Sequence, residues 1–224
     1  MKIYQINSVC GFGSTGRIAL DLANALQANG DSCRIGYGRG TCDDPRAFRF
    51  ASDLDVKLHG VLSRVTDRHG FYSKAATMRL IADIEAYAPD VIHLHNLHGY
   101  YLNISTLFGF LKEYGRPVVW TLHDCWSFTG HCAHFDYIKC DKWLTGCEKC
   151  PQKKCYPASL VMDNSRENYE SKKYYFTGIP NMTLTVPSQW LADRVRQSFL
   201  AEYPVEVVYN TVNRDVFKPT SSDF

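Results

Sequence analysis

His123 and Asp124 stand side by side at the end of the apolar run Val118-Val119-Trp120-Thr121-Leu122. The run is short, β-branched at its start and preceded by Pro117, which is the pattern of a buried parallel strand. In an open α/β sheet, ligands bind beyond the carboxyl ends of the strands. An imidazole and a carboxylate at such an end can hold a hydroxyl, move a proton or stabilise charge as it develops. The bland alternative is a polar pair with a purely structural role. A second candidate is Gly11, Gly13 and Gly16, spaced G-x-G-x-x-G, with Ser14, Thr15 and Arg17 among and after them. Such a loop frees backbone amides to face a phosphate at a helix N-terminus, although a tight strand-to-helix turn uses the same glycines. The third is the set Cys132, Cys140, Cys147 and Cys150, spaced C-x7-C-x6-C-x2-C. Four thiolates can close a structural zinc site, with Cys155 or His131 able to replace one ligand. Disulfides and free thiols are the alternatives.

The elements that must position these residues alternate between strand and helix. Lys2 to Val9 reads as a first strand, and the glycine loop opens a helix that closes at Asn29-Gly30. Ser32 to Gly36 is the second strand and Phe48 to Ala51 a short third, followed by helices near 54–66 and 72–87. Asp90-Val91-Ile92-His93-Leu94-His95-Asn96 is the next strand, with His93 and His95 on one face and His98 just beyond. Those histidines are hydrogen-bonded at a strand end or, with His123 and Asp124, a metal-hydrolase set. A helix at 103–114 precedes the strand at 117–122. Asp163 or Asn164 caps a polar helix reaching about Phe176. Strand Met182 to Val186, a helix over 189–200 capped by Ser188, and strand Val205 to Tyr209 complete the pattern. The result is a doubly wound, mostly parallel sheet. One domain spans 1–210, with a Cys-rich insertion at about 125–157, and 211–224 forms a tail.

The composition sets bounds on function. At 224 residues, 45% hydrophobic and 21% charged, the chain is ordinary for a globular protein. A net charge of +2 gives no global pull toward nucleic acid. The start, Met1-Lys2-Ile3-Tyr4-Gln5-Ile6, is too short and strand-like for a signal peptide, so the cytoplasm is expected. Nine cysteines there argue for metal ligands or thiols rather than a disulfide framework.

Six pieces, in order, resemble the N-terminal half of family 4 bacterial glycosyltransferases of the GT-B fold. They are the glycine loop through Arg17, Pro89-Asp90-Val91-Ile92-His93-Leu94-His95, and Trp120-Thr121-Leu122-His123-Asp124-Cys125-Trp126-Ser127-Phe128-Thr129-Gly130. The others are Cys140 to Pro151, Val186-Pro187-Ser188-Gln189-Trp190-Leu191, and Val207-Val208-Tyr209-Asn210 leading to Val216-Phe217-Lys218-Pro219. The version with this cysteine loop is similar to enzymes of capsular, exopolysaccharide or lipopolysaccharide assembly. The resemblance implies a Rossmann-like acceptor-side domain whose partner, a C-terminal donor domain, lies beyond this chain. It implies retaining transfer from a UDP- or GDP-sugar to a glycan or lipid-linked acceptor, with no cofactor or metal needed for catalysis. By the same resemblance, Gly13, Ser14, Thr15, Gly16 and Arg17 face the donor diphosphate. His123 lies against the donor sugar, and Asp124 holds His123 or meets the acceptor. His98 and Asn210 complete the donor and acceptor contacts. The family's strand-terminal Asn-Gly is here Asn210-Thr211, and the chain ends five residues after Pro219, so the fragment alone is expected to be inactive.

Two other functions fit parts of the sequence. A non-catalytic glycan- or partner-binding module uses the same sheet without turnover. An NAD(P)-dependent oxidoreductase uses the glycine loop, but the acid expected after the second strand is replaced by Tyr37-Gly38-Arg39-Gly40. Trp126, Phe128, Phe135, Tyr137 and Trp143 form either an acceptor-stacking platform or the core of their own loop. Helix 189–200 either packs on the sheet or faces a membrane carrying a lipid-linked acceptor, which would place the protein at the inner membrane face.

Overall fold

The computed structural model describes residues 1–211 and 218. Seven strands, all parallel, form one sheet in the order β3-β2-β1-β4-β5-β6-β7. They are β1 (Lys2–Val9), β2 (Ser32–Arg39), β3 (Ala47–Arg49), β4 (Val91–Leu94), β5 (Val118–Thr121), β6 (Met182–Val186) and β7 (Val205–Val207). The helices are α1 (Gly13–Ala28), α2 (Asp53–Thr66), α3 (Lys74–Tyr87), α4 (Ile104–Tyr114), α5 (Ser165–Phe176) and α6 (Gln189–Val195). The strand order reverses direction at β1, so the connections leaving the paired strands β1 and β4 part at their carboxyl ends and leave a crevice there. Among the described residues, no helix is long and apolar enough to cross a membrane.

Local chemistry accounts for these elements. α1 turns Gly16, Ala19 and Ala23 to the sheet. A Cβ on Gly16 would sit only 3.0 Å from a Val9 methyl, so glycine lets the helix settle directly on β1. α2 opens with a capping box in which Ser52 and Asp55 satisfy each other's backbone N–H groups. Asn103 caps α4 by accepting from the Thr106 N–H, and Gly115 ends it in the left-handed region at φ 71°. The main core runs from Tyr4 and Ile6 through Trp120 to Phe108 and Phe176, where the Phe108 and Phe176 rings lie 4.4 Å apart.

Several boundaries differ from the sequence expectation. β2 continues to Arg39 because it keeps pairing with β1 through Val9. α6 stops at Val195 rather than near 200, where Gln197 and Ser198 turn back onto the Arg194 and Val195 carbonyls. Leu191, Ala192 and Val195 are buried, so this short helix packs on the sheet. At α5, Asp163 takes the Ser165 N–H at 3.1 Å, while the Asn164 side chain reaches the Thr66 carbonyl. The tail expected over 211–224 falls almost entirely outside the described residues.

Between β5 and α5 the chain makes the long Cys-rich excursion, with short 3₁₀ turns at Trp126–Phe128, Asp136–Ile138 and Lys142–Leu144. It carries its own small core: Phe135 stacks on Trp143 at 4.9 Å, and Phe128 meets Trp143 edge-on at 5.5 Å. The excursion is seated tightly at Gly130, where a Cβ would collide with the Ser165 carbonyl oxygen. Gly130→Ala is therefore expected to cost about 3 kcal/mol through overpacking against backbone, measured as a lowered urea midpoint with unchanged slope.

Candidate active site

β1, β4 and β5 are neighbours, so the segments that follow them meet at one end of the sheet. His93 lies in β4 and bonds Thr121 Oγ1 through Nε2 at 2.8 Å. His95 follows the strand and bonds Gln5 Oε1 at 2.8 Å. Their rings lie 4.1 Å apart, and His123 stacks beyond His95 at 5.8 Å and 15°. These three imidazoles form a column rather than a metal set. Burial, and then mutual repulsion, pushes His93 down to about 4 and His95 well below its usual range. Burial likewise lowers His123, against the opposing pull of Asp124. The Nε2 of His123 is buried without a hydrogen-bond partner, and the residue lines a cleft shared with His95, Asn96, His98, Asp124 and Trp126.

Asp124 holds His98, not His123. Its Oδ2 accepts from His98 Nε2 at 2.6 Å, and its Oδ1 accepts from the Trp126 N–H at 2.9 Å. Burial alone would raise the Asp124 carboxyl, but His98 and the Trp126 N–H outweigh it and hold it below the usual carboxylate range. The other nitrogen of His98, Nδ1, lies 2.9 Å from the Tyr156 hydroxyl. In the tautomer that directs Nε2–H at the carboxylate, Nδ1 is an acceptor and Tyr156 donates to it. The phenol oxygen keeps its lone pairs for a further donor. No spacing in the sequence marks Tyr156, which arrives from the far end of the excursion. His69 is another residue the sequence did not mark: its Nε2 accepts the Gly99 N–H at 3.1 Å and its ring faces Trp126.

The glycine loop sits at the end of β1 beside this cleft. Gly11 and Gly13 take φ of 75° and 64°, conformations open to glycine at little cost. α1 begins at Gly13 with no acidic residue in its first turn, and Ser14 and Arg17 are exposed there. Thr15 is tied back to Asn7, whose Nδ2 also bonds the Val9 carbonyl at 2.8 Å. The Oδ1 of Asn7 accepts from the Asn96 N–H at 3.2 Å. Asn7 thus links the glycine loop to the segment carrying His98. Asn210 is not brought to this cluster; it is exposed, beyond the edge strand β7.

The four cysteines do converge. Cys132, Cys140, Cys147 and Cys150 line one cavity with Phe135 and Trp143. Among the described residues, however, no group of three or more His, Cys, Asp or Glu is placed to hold a metal ion. The Cys132 thiol donates instead to Cys150; that bond outweighs burial and brings Cys150 down to about 7. Of the two substitute ligands, His131 bonds Asp67 through Nδ1 at 2.5 Å and Cys155 is exposed beside Tyr137. Cys125 is buried and its thiol is pushed up, first by burial and then by Asp124, as befits a small hydrophobe. Phe128, Phe135 and Trp143 serve as the core of the excursion, whereas Trp126 faces the cleft.

Behind the cleft, Lys172 is fully buried and donates to the Trp126 and Thr129 carbonyls at 2.7 and 3.0 Å. Its ammonium also lies 3.6 Å from the Trp126 ring centre. Burial brings Lys172 down to about 7. It fixes the turn whose first N–H holds Asp124.

Residues 15–216 match the description Glycosyltransferase Family 4. The chain belongs to this family. It is 31% identical over 208 residues to a protein of Escherichia coli named as a colanic acid biosynthesis glycosyl transferase, WcaC. That alignment covers 86% of this chain and 50% of the relative, so the chain spans about half the length of the curated relative it matches. In three dimensions it is similar to sucrose-phosphate synthase from Thermosynechococcus elongatus, with a TM-score of 0.59 at 12% identity. That match covers 98% of this chain and 50% of the other, and at such low identity it speaks to the fold alone: a Rossmann-like half of the GT-B architecture.

Proposed function

We propose that this family 4 domain forms the acceptor-side wall of a retaining glycosyltransferase in cell-surface polysaccharide synthesis. The donor is a UDP- or GDP-sugar and the acceptor a glycan or lipid-linked glycan. Transfer requires a C-terminal donor domain, and no cofactor takes part in the chemistry. The glycine loop, with the exposed Ser14 and Arg17 at the start of α1, faces the donor diphosphate. His123 presents its uncharged imidazole to the donor sugar. The Asp124–His98–Tyr156 chain offers the Tyr156 oxygen to an acceptor hydroxyl. Polar groups fixed in advance in a closed site act where charge develops on the sugar.

The observation that carries this reading is the buried, unpartnered Nε2 of His123 in the cleft it shares with Asp124 and His98, the latter bonded in turn to Tyr156. A buried polar atom left without a partner costs free energy unless a ligand supplies one. The name of the Escherichia coli relative supports a polysaccharide acceptor.

The deciding experiment is turnover of a panel of UDP- and GDP-sugars by the chain alone and with the donor half supplied. Transfer that needs the donor half is the expected result. Glycan binding with no turnover, even with that half present, would replace this reading with a binding module.

A further inference from the structure

α2 leaves an apolar stripe in solvent. Leu54, Leu58, Val61 and Val65 recur at helical spacing and are 45–75% exposed. The stripe does not end with the helix. Residues 160–162 run beside its last turn, with the Leu160 N–H on the Arg64 carbonyl at 2.7 Å and the Met162 N–H on the Val65 carbonyl at 3.0 Å. Leu160, Val161 and Met162 are also exposed. Seven large apolar side chains on one surface exceed the scattered exposure normal for a globular domain.

The charged side chains bordering this surface that are not paired with an opposite charge include four cations. Lys57 and Arg64 are exposed along the stripe, Lys153 donates to the Val161 carbonyl at 3.0 Å, and Lys154 follows it. The carboxylates of the same region are engaged elsewhere: Asp53 with Arg49, Asp55 with Arg79, and Asp67, buried, with His131. Asp163 bonds Ser165 and the Cys150 N–H. An apolar face bordered by cations suits a surface that is apolar inside and anionic outside.

We propose that α2 and the segment 160–162 dock this protein on an anionic phospholipid bilayer. The apolar stripe enters the headgroup boundary, and Lys57, Arg64, Lys153 and Lys154 meet lipid phosphates. The surface borders the candidate site, because the Arg64 guanidinium lies over the Tyr100 ring at 5.8 Å and Tyr100 meets Tyr156 edge-on. A lipid-linked acceptor would thus reach the Tyr156 side of the cleft without leaving the membrane, a consequence that rests on the function proposed above. The docking helix is α2, not α6.

Vesicle flotation of the full-length protein tests this. Binding is expected to vesicles of phosphatidylglycerol and phosphatidylcholine, and to be far weaker to phosphatidylcholine alone. The double variant Leu58→Glu/Val61→Glu should lose about tenfold or more of that binding, and Lys153→Glu/Lys154→Glu should lose the preference for anionic vesicles. Both substitute exposed side chains, and thermal melts should match the parent. Equal flotation of parent and Leu58→Glu/Val61→Glu would overturn the proposal. So would a parent that does not float, or a parent dimer in light scattering that the same variant makes monomeric, since a second copy would then cover the stripe. Transfer to a water-soluble acceptor should be unchanged in Leu58→Glu/Val61→Glu. A parent that floats but transfers no sugar to any acceptor would remove the proposed function and leave the docking surface standing.

Discussion

With the donor half supplied and the proposed transfer running, replacing His123 by alanine should lower kcat by about 10²–10³-fold, the scale seen when one preorganised group facing developing charge is removed. His123 has no hydrogen bond to lose through Nε2 within the protein, and its ring is only the last member of the column behind it. Little stability should be lost, and urea unfolding of His123→Ala should remain close to that of the parent. Asp124→Asn is the informative comparison. An amide can still accept the Trp126 N–H, but it no longer fixes the His98 ring through a charge. Its penalty should therefore fall on acceptor KM as well as kcat, because His98 is what aims Tyr156. Equal and large stability losses in both variants, with residual activity scaling to the folded fraction, would reduce the pair to a structural role.

Asp67→Ala should destabilise the fold by about 3–5 kcal/mol, the range for stripping one partner from a buried ion pair. Asp67 is fully buried at the end of α2 and accepts from His131 Nδ1 at 2.5 Å and from the Asn164 N–H at 2.9 Å. Its own carbonyl accepts from Asn168. One residue therefore joins α2, the Cys-rich excursion and α5. The pH dependence has a definite sign. Burial would lower His131, but the bond to Asp67 and its charge outweigh burial and raise it above the ordinary 6.5. A raised folded-state value stabilises fully below about pH 6.5 and loses that contribution as pH climbs through the folded value. The stability gap between parent and Asp67→Ala, read by urea unfolding at several pH values, should thus narrow above pH 6.5. A gap that widens there would contradict the pairing.

The strand pattern made the sheet legible: β1, β4, β5 and β6 lie where apolar runs and flanking prolines and glycines place them. The ends were less legible where distant contacts decide them. α6 carries helical periodicity to residue 200, yet its last turn tightens after Val195 and closes with shorter-range bonds. Among site residues, the His123-Asp124 pair and His98 were visible because polar residues at strand ends break an apolar run. Tyr156 was not, since its role depends on an excursion of some thirty residues folding back onto His98. Of the two roles the resemblance implied for Asp124, holding His123 or meeting the acceptor, the first is not seen: consecutive side chains at a strand end point apart, and Asp124 reaches His98 in the segment after β4. Cys132, Cys140, Cys147 and Cys150 line one cavity. Their spacing carried no information about Phe135 and Trp143, which fill the space between them.

The stacked imidazoles of His93, His95 and His123 set a limit on how the protein senses its surroundings. Each ring is discouraged from taking a proton by burial, and the charge of one would be resisted by the others. The column behaves as an electrically silent wall over a wide range around neutrality. Mild acidification of the surroundings would leave that face of the cleft uncharged, and any response to it would have to originate elsewhere in the molecule.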